Sequence, residues 1–248
     1  MSSVLDGRSV VITRSRLQNE SLKRLLEARG AEVVEVPLID IAEPDDEGRE
    51  RDEVLQRFHE FDWIVVTSPN GADRVAPFIS ASHAAGDESR FPHIAVVGEA
   101  TARTLNVSVD LVAEPARADV LASLFPHGSG SVLVVQGNLA DSGLHESIAE
   151  KGWDVTRVVA YQTVTLQPPQ EMIAPALEAD VLLLASGSAA SAWFDSFGTT
   201  TPPVVVAIGP STSRVAEKVG IDITAVADDH SLEGLLDATE RAIELLER

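Results

Sequence analysis

VVVAIGPSTSR, Val204 to Arg214, is the stretch whose reading decides the fold. An apolar β-branched run halts at Gly209-Pro210, two hydroxyl residues follow, and an amphipathic pattern resumes as SRVAEKVG. A run of that kind reads as a buried strand. Ser211 or Thr212 after the break reads as a helix N-cap. The segment is therefore a strand, a tight turn and a helix start, with backbone N–H groups aimed beyond the strand end. Such a turn suits anions.

The same design recurs along the chain. HIAVVGEATART, His93 to Thr104, carries Gly98 and Thr101 at the spacing of Gly209 and Thr212, 111 residues earlier. WIVVTSPNGAD, Trp63 to Asp73, resembles VLLLASGSAAS, Val181 to Ser191, with Ser68 over Ser186 at an offset of 118. SVVITRSRLQNESLKRLLEARGAEV, Ser9 to Val33, resembles SVLVVQGNLADSGLHESIAEKGWDV, Ser131 to Val155, at an offset of 122. RADVLASL, from Arg117, is a weaker partner of SLEGLLDA, from Ser231. Four pairs in one order at nearly one spacing mark an internal duplication of a unit close to half the chain.

The intervening sequence alternates strand and helix. Ser9 to Thr13 reads as a strand, followed by a helix from about Gln18 to Arg29 that Gly30 terminates. Pro37 interrupts the extended run Ala31 to Ile41, and Gln167-Pro168-Pro169 reads as a linker. A helix is expected around Ala72 to Ile79, then a polar stretch from Ser80 to Arg90. Strand alternating with helix means an α/β fold of parallel sheets flanked by helices. Ligands in such sheets bind beyond the strand C-termini.

Composition narrows the function. The 248 residues carry a net charge of −20 and no cysteine, with 44% hydrophobic and 4% aromatic residues. That charge argues against nucleic acid and anionic membranes as partners. Zero cysteine excludes disulfides and thiolate metal sites and agrees with a cytoplasmic protein. No apolar run approaches the roughly 20 residues of a membrane helix, and MSSVLDGRSVVIT lacks a signal-peptide pattern. The acidic run Glu43 to Glu53 reads as a solvated segment serving solubility. Its field is screened beyond about 8 Å, so an anion site built from local amides stays open.

Several chemistries drop out. Gly137 to Gly143 has P-loop glycine spacing, but Leu144-His145 stands where Lys and Ser/Thr belong. The first strand is not followed by a dinucleotide-binding glycine pattern. The six histidines (59, 83, 93, 127, 145 and 230) show no metal spacing and read as surface or loop residues. There is no nucleophile elbow and no cysteine nucleophile. The loops are left with hydroxyls, amides and Arg14. Such a site positions and hydrogen-bonds, and no metal or cofactor is expected.

At this point the sequence resembles a family. VVITR, TSPNGA, VGEATA, the Tyr in VVAYQT, SGSAA and AIGPSTS follow the order seen in uroporphyrinogen-III synthases, and SLEGLLDAT resembles that family's closing helix. The resemblance covers essentially the whole chain. It implies two lobes, each a parallel sheet flanked by helices, one from residues 1–37 and 167–248 and the other from 38–166. Two extended connections, near 36–39 and 163–167, would form a hinge. The implied reaction closes hydroxymethylbilane, a linear tetrapyrrole polycarboxylate, to uroporphyrinogen III with loss of water and inversion of the last ring. No cofactor is implied, and the expected state is a monomer with this small molecule as its partner.

The resemblance also implies roles. Tyr161 matches the family's cleft tyrosine and is the expected general acid at the leaving hydroxyl. Thr101 and Thr212 match paired loop threonines that would hold carboxylates or the leaving oxygen; both also read as N-caps. Arg14 is the expected cationic contact. Ser68, Asn70 and Gly71, with Ser186, Gly187 and Ser188, would present amides to acetate and propionate groups, although Asn70 and Gly71 also read as turn formers. Gly98, Gly209, Ser211, Gln136, Gly137 and Asn138 complete the strand-end set. Glu99 reads as a charge favoured at a helix start. One departure matters: many members carry Arg at the place of Gln136, and another in the loop Asn138 to Asp141. An amide cannot form the bidentate ion pair of a guanidinium. A non-enzymatic two-lobed sensor for a small anion would use the same loops and is the alternative. A nucleotide-sugar transferase would want a larger chain and a diphosphate-gripping basic residue.

Overall fold

Residues 3–84 and 91–247 are described by a computed structural model. The chain opens with β1 (Ser9–Ile12), α1 (Arg16–Glu27) and β2 (Glu32–Glu35). It continues through β3 (Ile39–Ala42), α2 (Arg49–Leu55), a 3-10 turn at Phe58–Glu60, β4 (Trp63–Val66), α3 (Pro69–Ala84) and β5 (His93–Val97). Then come α4 (Glu99–Leu105), β6 (Leu111–Ala113), α5 (Ala118–Leu124), β7 (Ser131–Gly137), α6 (Gly143–Glu150) and the long β8 (Asp154–Thr165). The final third holds α7 (Gln170–Glu178), β9 (Val181–Leu184), α8 (Gly187–Phe197) and β10 (Val204–Ala207). It ends with α9 (Pro210–Lys218), β11 (Ala225–Val226) and α10 (Leu232–Leu246).

These elements form two compact units, one from residues 1–40 and 164–248, the other from 41–163. The first is built on a five-stranded sheet of order β11-β10-β9-β1-β2, all parallel. The second is built on a six-stranded sheet of order β3-β8-β7-β4-β5-β6, parallel from β8 to β6.

Side-chain alternation explains why each sheet is covered on both faces. Val10, Ile12, Val181, Leu183, Val204 and Val206 pack on α1 and α10. The intervening Val11, Leu182, Leu184 and Val205 pack on α7, α8 and α9. In the second sheet Ile64, Val66, Leu133 and Val135 meet α2, α3 and α4. Val65, Val132 and Val134 meet α5 and α6.

One clamp appears in both units and shows how the duplicated halves are combined. Ser9 N–H and Oγ–H both donate to the Asp180 carboxylate at 2.8 Å, joining the start of β1 to β9. Ser131 N–H donates to the Asp62 carboxylate at 2.9 Å, joining the start of β7 to β4. Asp180 is the repeat equivalent of Asp62, and Ser131 of Ser9. Each unit therefore pairs a strand from one repeat with a strand from the other.

Several local expectations are adjusted. The first helix starts at Arg16, two residues before Gln18, and α3 runs from Pro69 to Ala84, beyond Ala72 to Ile79 at both ends. Residues 85–90 of the polar stretch lie outside the described residues. Gly30 does end α1: its φ is +83°, and Ala31 N–H reaches back to Leu26 C=O at 3.1 Å. The acidic run is not merely solvated. Arg51 is 8% exposed, donating to Glu43, to Asp52 at 2.7 Å and to Ala160 C=O at 2.8 Å, so it fastens the segment to β8. The Asp46 carboxylate accepts from Glu50 and Gly48 N–H, which holds it below the usual carboxylate range.

Candidate active site

The expected site residues fall at the strand C-termini of both sheets, as a doubly wound topology requires. In the 41–163 unit they sit on four adjacent strands: Tyr161 on β8, Gln136 and Gly137 on β7, Ser68 after β4 and Gly98 after β5. In the other unit they follow three adjacent strands: Ser211 and Thr212 after β10, Ser186 after β9 and Arg14 after β1.

Tyr161 owes its direction to a break in alternation. Gln136 pairs with Val159 but Gly137 pairs with Tyr161, so β8 carries one extra residue, Ala160. A bulge of this kind re-aims the next side chain. Val158, Ala160 and Tyr161 consequently all pack against the same hydrophobic cluster. Gly137 leaves room for the ring, since a Cβ there would lie 2.7 Å from Tyr161 Cζ and 2.9 Å from its Oη.

The phenol is then tied to the neighbouring strand end. Ser68 Oγ accepts from Gly71 N–H at 3.1 Å and donates to Tyr161 Oη at 3.0 Å. The serine proton is used, so the phenol keeps its own for another acceptor. The guanidinium carbon of Arg74 lies 5.7 Å from the ring centroid, within the range of a cation–π contact.

Ser68 has a counterpart in the other unit. Ser186 caps α8 by accepting from Ala189 N–H at 3.1 Å, and its Oγ lies 3.0 Å from Ser188 Oγ. The amides of Gly187 and Ser188 precede the first intrahelical bond, Ala190 N–H to Ser186 C=O. In α9, Ser213 N–H to Gly209 C=O comes first, which leaves the Ser211 and Thr212 amides without an intrahelical acceptor. These are donors suited to carboxylates.

Arg14 is half-buried, with Nη1 donating to Gln18 C=O at 3.3 Å. Burial lowers its pKa from the ordinary guanidinium value. Among the described residues no carboxylate pairs with it.

Other expected residues carry structure. Glycine, not threonine, is the N-cap of α4 and α9: Gly98 at φ +83° and Gly209 in an extended conformation. Thr101 sits one turn in and is fully buried, with Oγ1 donating to Val97 C=O at 2.8 Å, so its hydroxyl braces the strand end. Thr212 is 5% exposed at the equivalent position. Asn70 and Gly71 lie in the first turn of α3, so the turn-former reading is corrected. Asn138 Oδ1 accepts from Thr163 N–H at 2.9 Å and its own N–H donates to Tyr161 C=O at 3.1 Å, fastening the exit of β8. Gln136 is 1% exposed and its Nε2 has no partner among the described residues. Glu99 is exposed at the first position of α4, as its helix-start reading expects. The surface reading of the histidines holds for 59, 93, 127 and 230; His145 is half-buried. The side chain of His83 lies outside the described residues.

Sequence reasoning missed Arg74, Glu43 and Arg51. Arg74 lies one helical turn after Asn70, a spacing that fits a surface arginine equally well. Arg51 lies inside a run whose composition reads as solvent-facing.

Comparison with known proteins bears on the family and the fold. The chain is 31% identical to the chloroplastic uroporphyrinogen-III synthase of Oryza sativa subsp. japonica, over 94% of this chain and 80% of the relative. It is 24% identical to the uroporphyrinogen-III synthase of Synechococcus elongatus, over 96% of each chain. Its fold is similar to a mutant uroporphyrinogen III synthase from the extremely thermophilic bacterium Thermus thermophilus, with TM-score 0.67 and 20% identity over 96% of this chain and 100% of that one. It is also similar to the uroporphyrinogen-III synthetase of Helicobacter pylori, with TM-score 0.59 and 19% identity over 98% of this chain and 100% of that one. The family model described as "Uroporphyrinogen-III synthase HemD" matches residues 20–237, and the chain belongs to the uroporphyrinogen-III synthase family.

Proposed function

We infer that this protein closes hydroxymethylbilane to uroporphyrinogen III with loss of water and inversion of the last pyrrole ring, a step of tetrapyrrole biosynthesis. Within the site, the observation that carries the reading is the Gly71–Ser68–Tyr161 chain, which leaves a fixed phenol with a proton to give.

Tyr161 Oη donates its proton to the terminal hydroxyl of the substrate. The C–O bond breaks with its electron pair, water departs, and an electrophilic azafulvenium cation remains. The substituted carbon of the last ring attacks it, giving a spiro intermediate that fragments and recloses inverted. The ring proton released on final closure restores the phenol, so protons balance. The linear substrate can also close without inversion, so much of the catalyst's task is to hold one conformation.

Holding it falls to the strand-end donors. The amides at the starts of α8 and α9 and the Arg14 guanidinium are the groups we assign to acetate and propionate side chains. Charge-assisted hydrogen bonds of this kind contribute about 1.5–3 kcal/mol each, enough in number to outweigh a screened net charge of −20. Thr101 instead braces the end of β5 where α4 begins, through its bond to Val97 C=O. That same charge supports a protein with no nucleic-acid or anionic-membrane partner, and the lack of cysteine supports a cytoplasmic one. Among the described residues no helix is long and apolar enough to cross a membrane.

A non-enzymatic sensor is the less favoured reading, because sensing an anion has no use for a positioned proton donor. Supplying hydroxymethylbilane generated in situ and separating the product isomers distinguishes the two. Type III product is expected; type I product alone, at the uncatalysed rate, would contradict the assignment.

A further inference from the structure

The Tyr161 ring has a third neighbour that no part of the reaction above uses. Arg74 reaches it from α3, with Cζ 5.7 Å from the ring centroid. Its Nη1 donates to Asn70 C=O at 3.2 Å and its Nη2 to Glu43 Oε1 at 3.1 Å. Its Nε is buried and has no hydrogen-bond partner among the described residues. Glu43 is shared with Arg51, so the one carboxylate that pairs with Arg74 among the described residues also answers to a second guanidinium. The result is a largely buried cation, 21% exposed, whose charge is only partly offset and which lies against the phenol ring.

We propose that Arg74 is a positioning residue for Tyr161, holding the ring against Gly137 and stabilising the negative charge that builds on the phenol oxygen as its proton leaves. The inference rests on the reading of Tyr161 as the proton donor. When the Oη–H bond breaks and the departing hydroxyl becomes water, the phenolate is formed next to a cation fixed by two other bonds. Charge stabilisation by a group already in place costs no reorganisation during the step. When the closing ring returns a proton to Oη, the neutral pair is restored. Glu43 is the anchor that keeps the guanidinium beside the ring and away from solvent.

The test is a double-mutant cycle on turnover, with Arg74→Met and Tyr161→Phe singly and together, followed by thermal unfolding of each protein. Arg74→Met is expected to lower kcat about tenfold, with KM held within about twofold. In the Tyr161→Phe background the same change should alter kcat by less than about twofold, since residues acting through one another are non-additive. Arg74→Lys, which keeps the charge, should recover part of the loss. Should Arg74→Met fail to fold, Arg74→Gln enters the same cycle. An equal loss of kcat in both backgrounds, or a raised KM with kcat unchanged, would overturn the proposal. A silent Tyr161→Phe would instead remove the proton-donor reading, and this inference with it.

Discussion

Gly137 and Tyr161 face each other across β7 and β8 so closely that a Cβ on residue 137 would lie 2.7 Å from the phenol's Cζ. Real Cβ contacts are not this short, so any side chain at 137 must displace the ring. The glycine is not needed for its own backbone conformation, since its φ is not positive. Gly137→Ala should therefore lower kcat by about tenfold or more, within the range that a positioned proton donor supplies. Overpacking costs typically about 1–3 kcal/mol of stability, and a chemical denaturation curve measures that part separately. Full turnover in Gly137→Ala would show that the ring's place is immaterial.

Ser68 and Ser186 provide an internal control, because both cap a helix through the same bond length, 3.1 Å. Ser68→Ala and Ser186→Ala should each cost about 1 kcal/mol of stability, read from urea midpoints. Only Ser68 also holds the phenol. Ser68→Ala should thus reduce kcat further than Ser186→Ala does, by severalfold. Equal effects on turnover would mean that the Ser68–Tyr161 bond is incidental.

Arg14 predicts a split between binding and folding. Its guanidinium is partly desolvated and has no carboxylate beside it among the described residues. Removing an unpaired, partly buried charge does not harm folding. Arg14→Ala should leave the unfolding midpoint unchanged or slightly raised while KM increases about tenfold, the size of one lost charge-assisted hydrogen bond. The wild-type KM should also rise with salt, and that dependence should weaken in the variant. A destabilised variant with unchanged KM would place Arg14 in the scaffold instead.

The Asp180 clamp sets an acid limit. Its carboxylate is held below the usual range by hydrogen bonds from Ser9 N–H and then Ser9 Oγ–H, against a partial desolvation that works the other way. A native value below the unfolded one, about 3.9, means that the native state binds its proton less readily. The contribution is then complete above about pH 4 and is lost as pH falls through the lowered native value. Urea unfolding at a series of pH values should give a shallower acid loss for Asp180→Asn than for wild type. Parallel curves would assign the acid sensitivity to other carboxylates.

How much of this is legible depends on the length scale of the signal. The turn at Gly209-Pro210 and its duplicate at Gly98 are local, so strand, turn and helix follow from a dozen residues. Alternation along Val204 to Ala207 likewise needs no partner to be read. The bulge at Ala160 is different: it exists only in the pairing of β8 with β7, and nothing in VVAYQT marks which residue is extra. The opposition of Gly137 and Tyr161 is invisible in the sequence for that reason. The N-caps are misread there because Ser and Thr are the usual cap residues. Here a glycine fits both turns: Gly98 at positive φ, and Gly209 with the His230 ring so near that a Cβ would lie 2.9 Å from it. Arg51 is hidden by its neighbours, since composition reports the average of a run and not the one side chain that turns inward.

The proposed mechanism turns on the Tyr161 phenol giving its proton to the departing hydroxyl. Steady-state turnover of Tyr161→Phe with hydroxymethylbilane supplied in situ tests it most directly, because only one oxygen is removed. The predicted result is a fall in kcat of at least about tenfold, with type III product and an unfolding midpoint close to wild type. An undiminished rate in a folded Tyr161→Phe protein would contradict it.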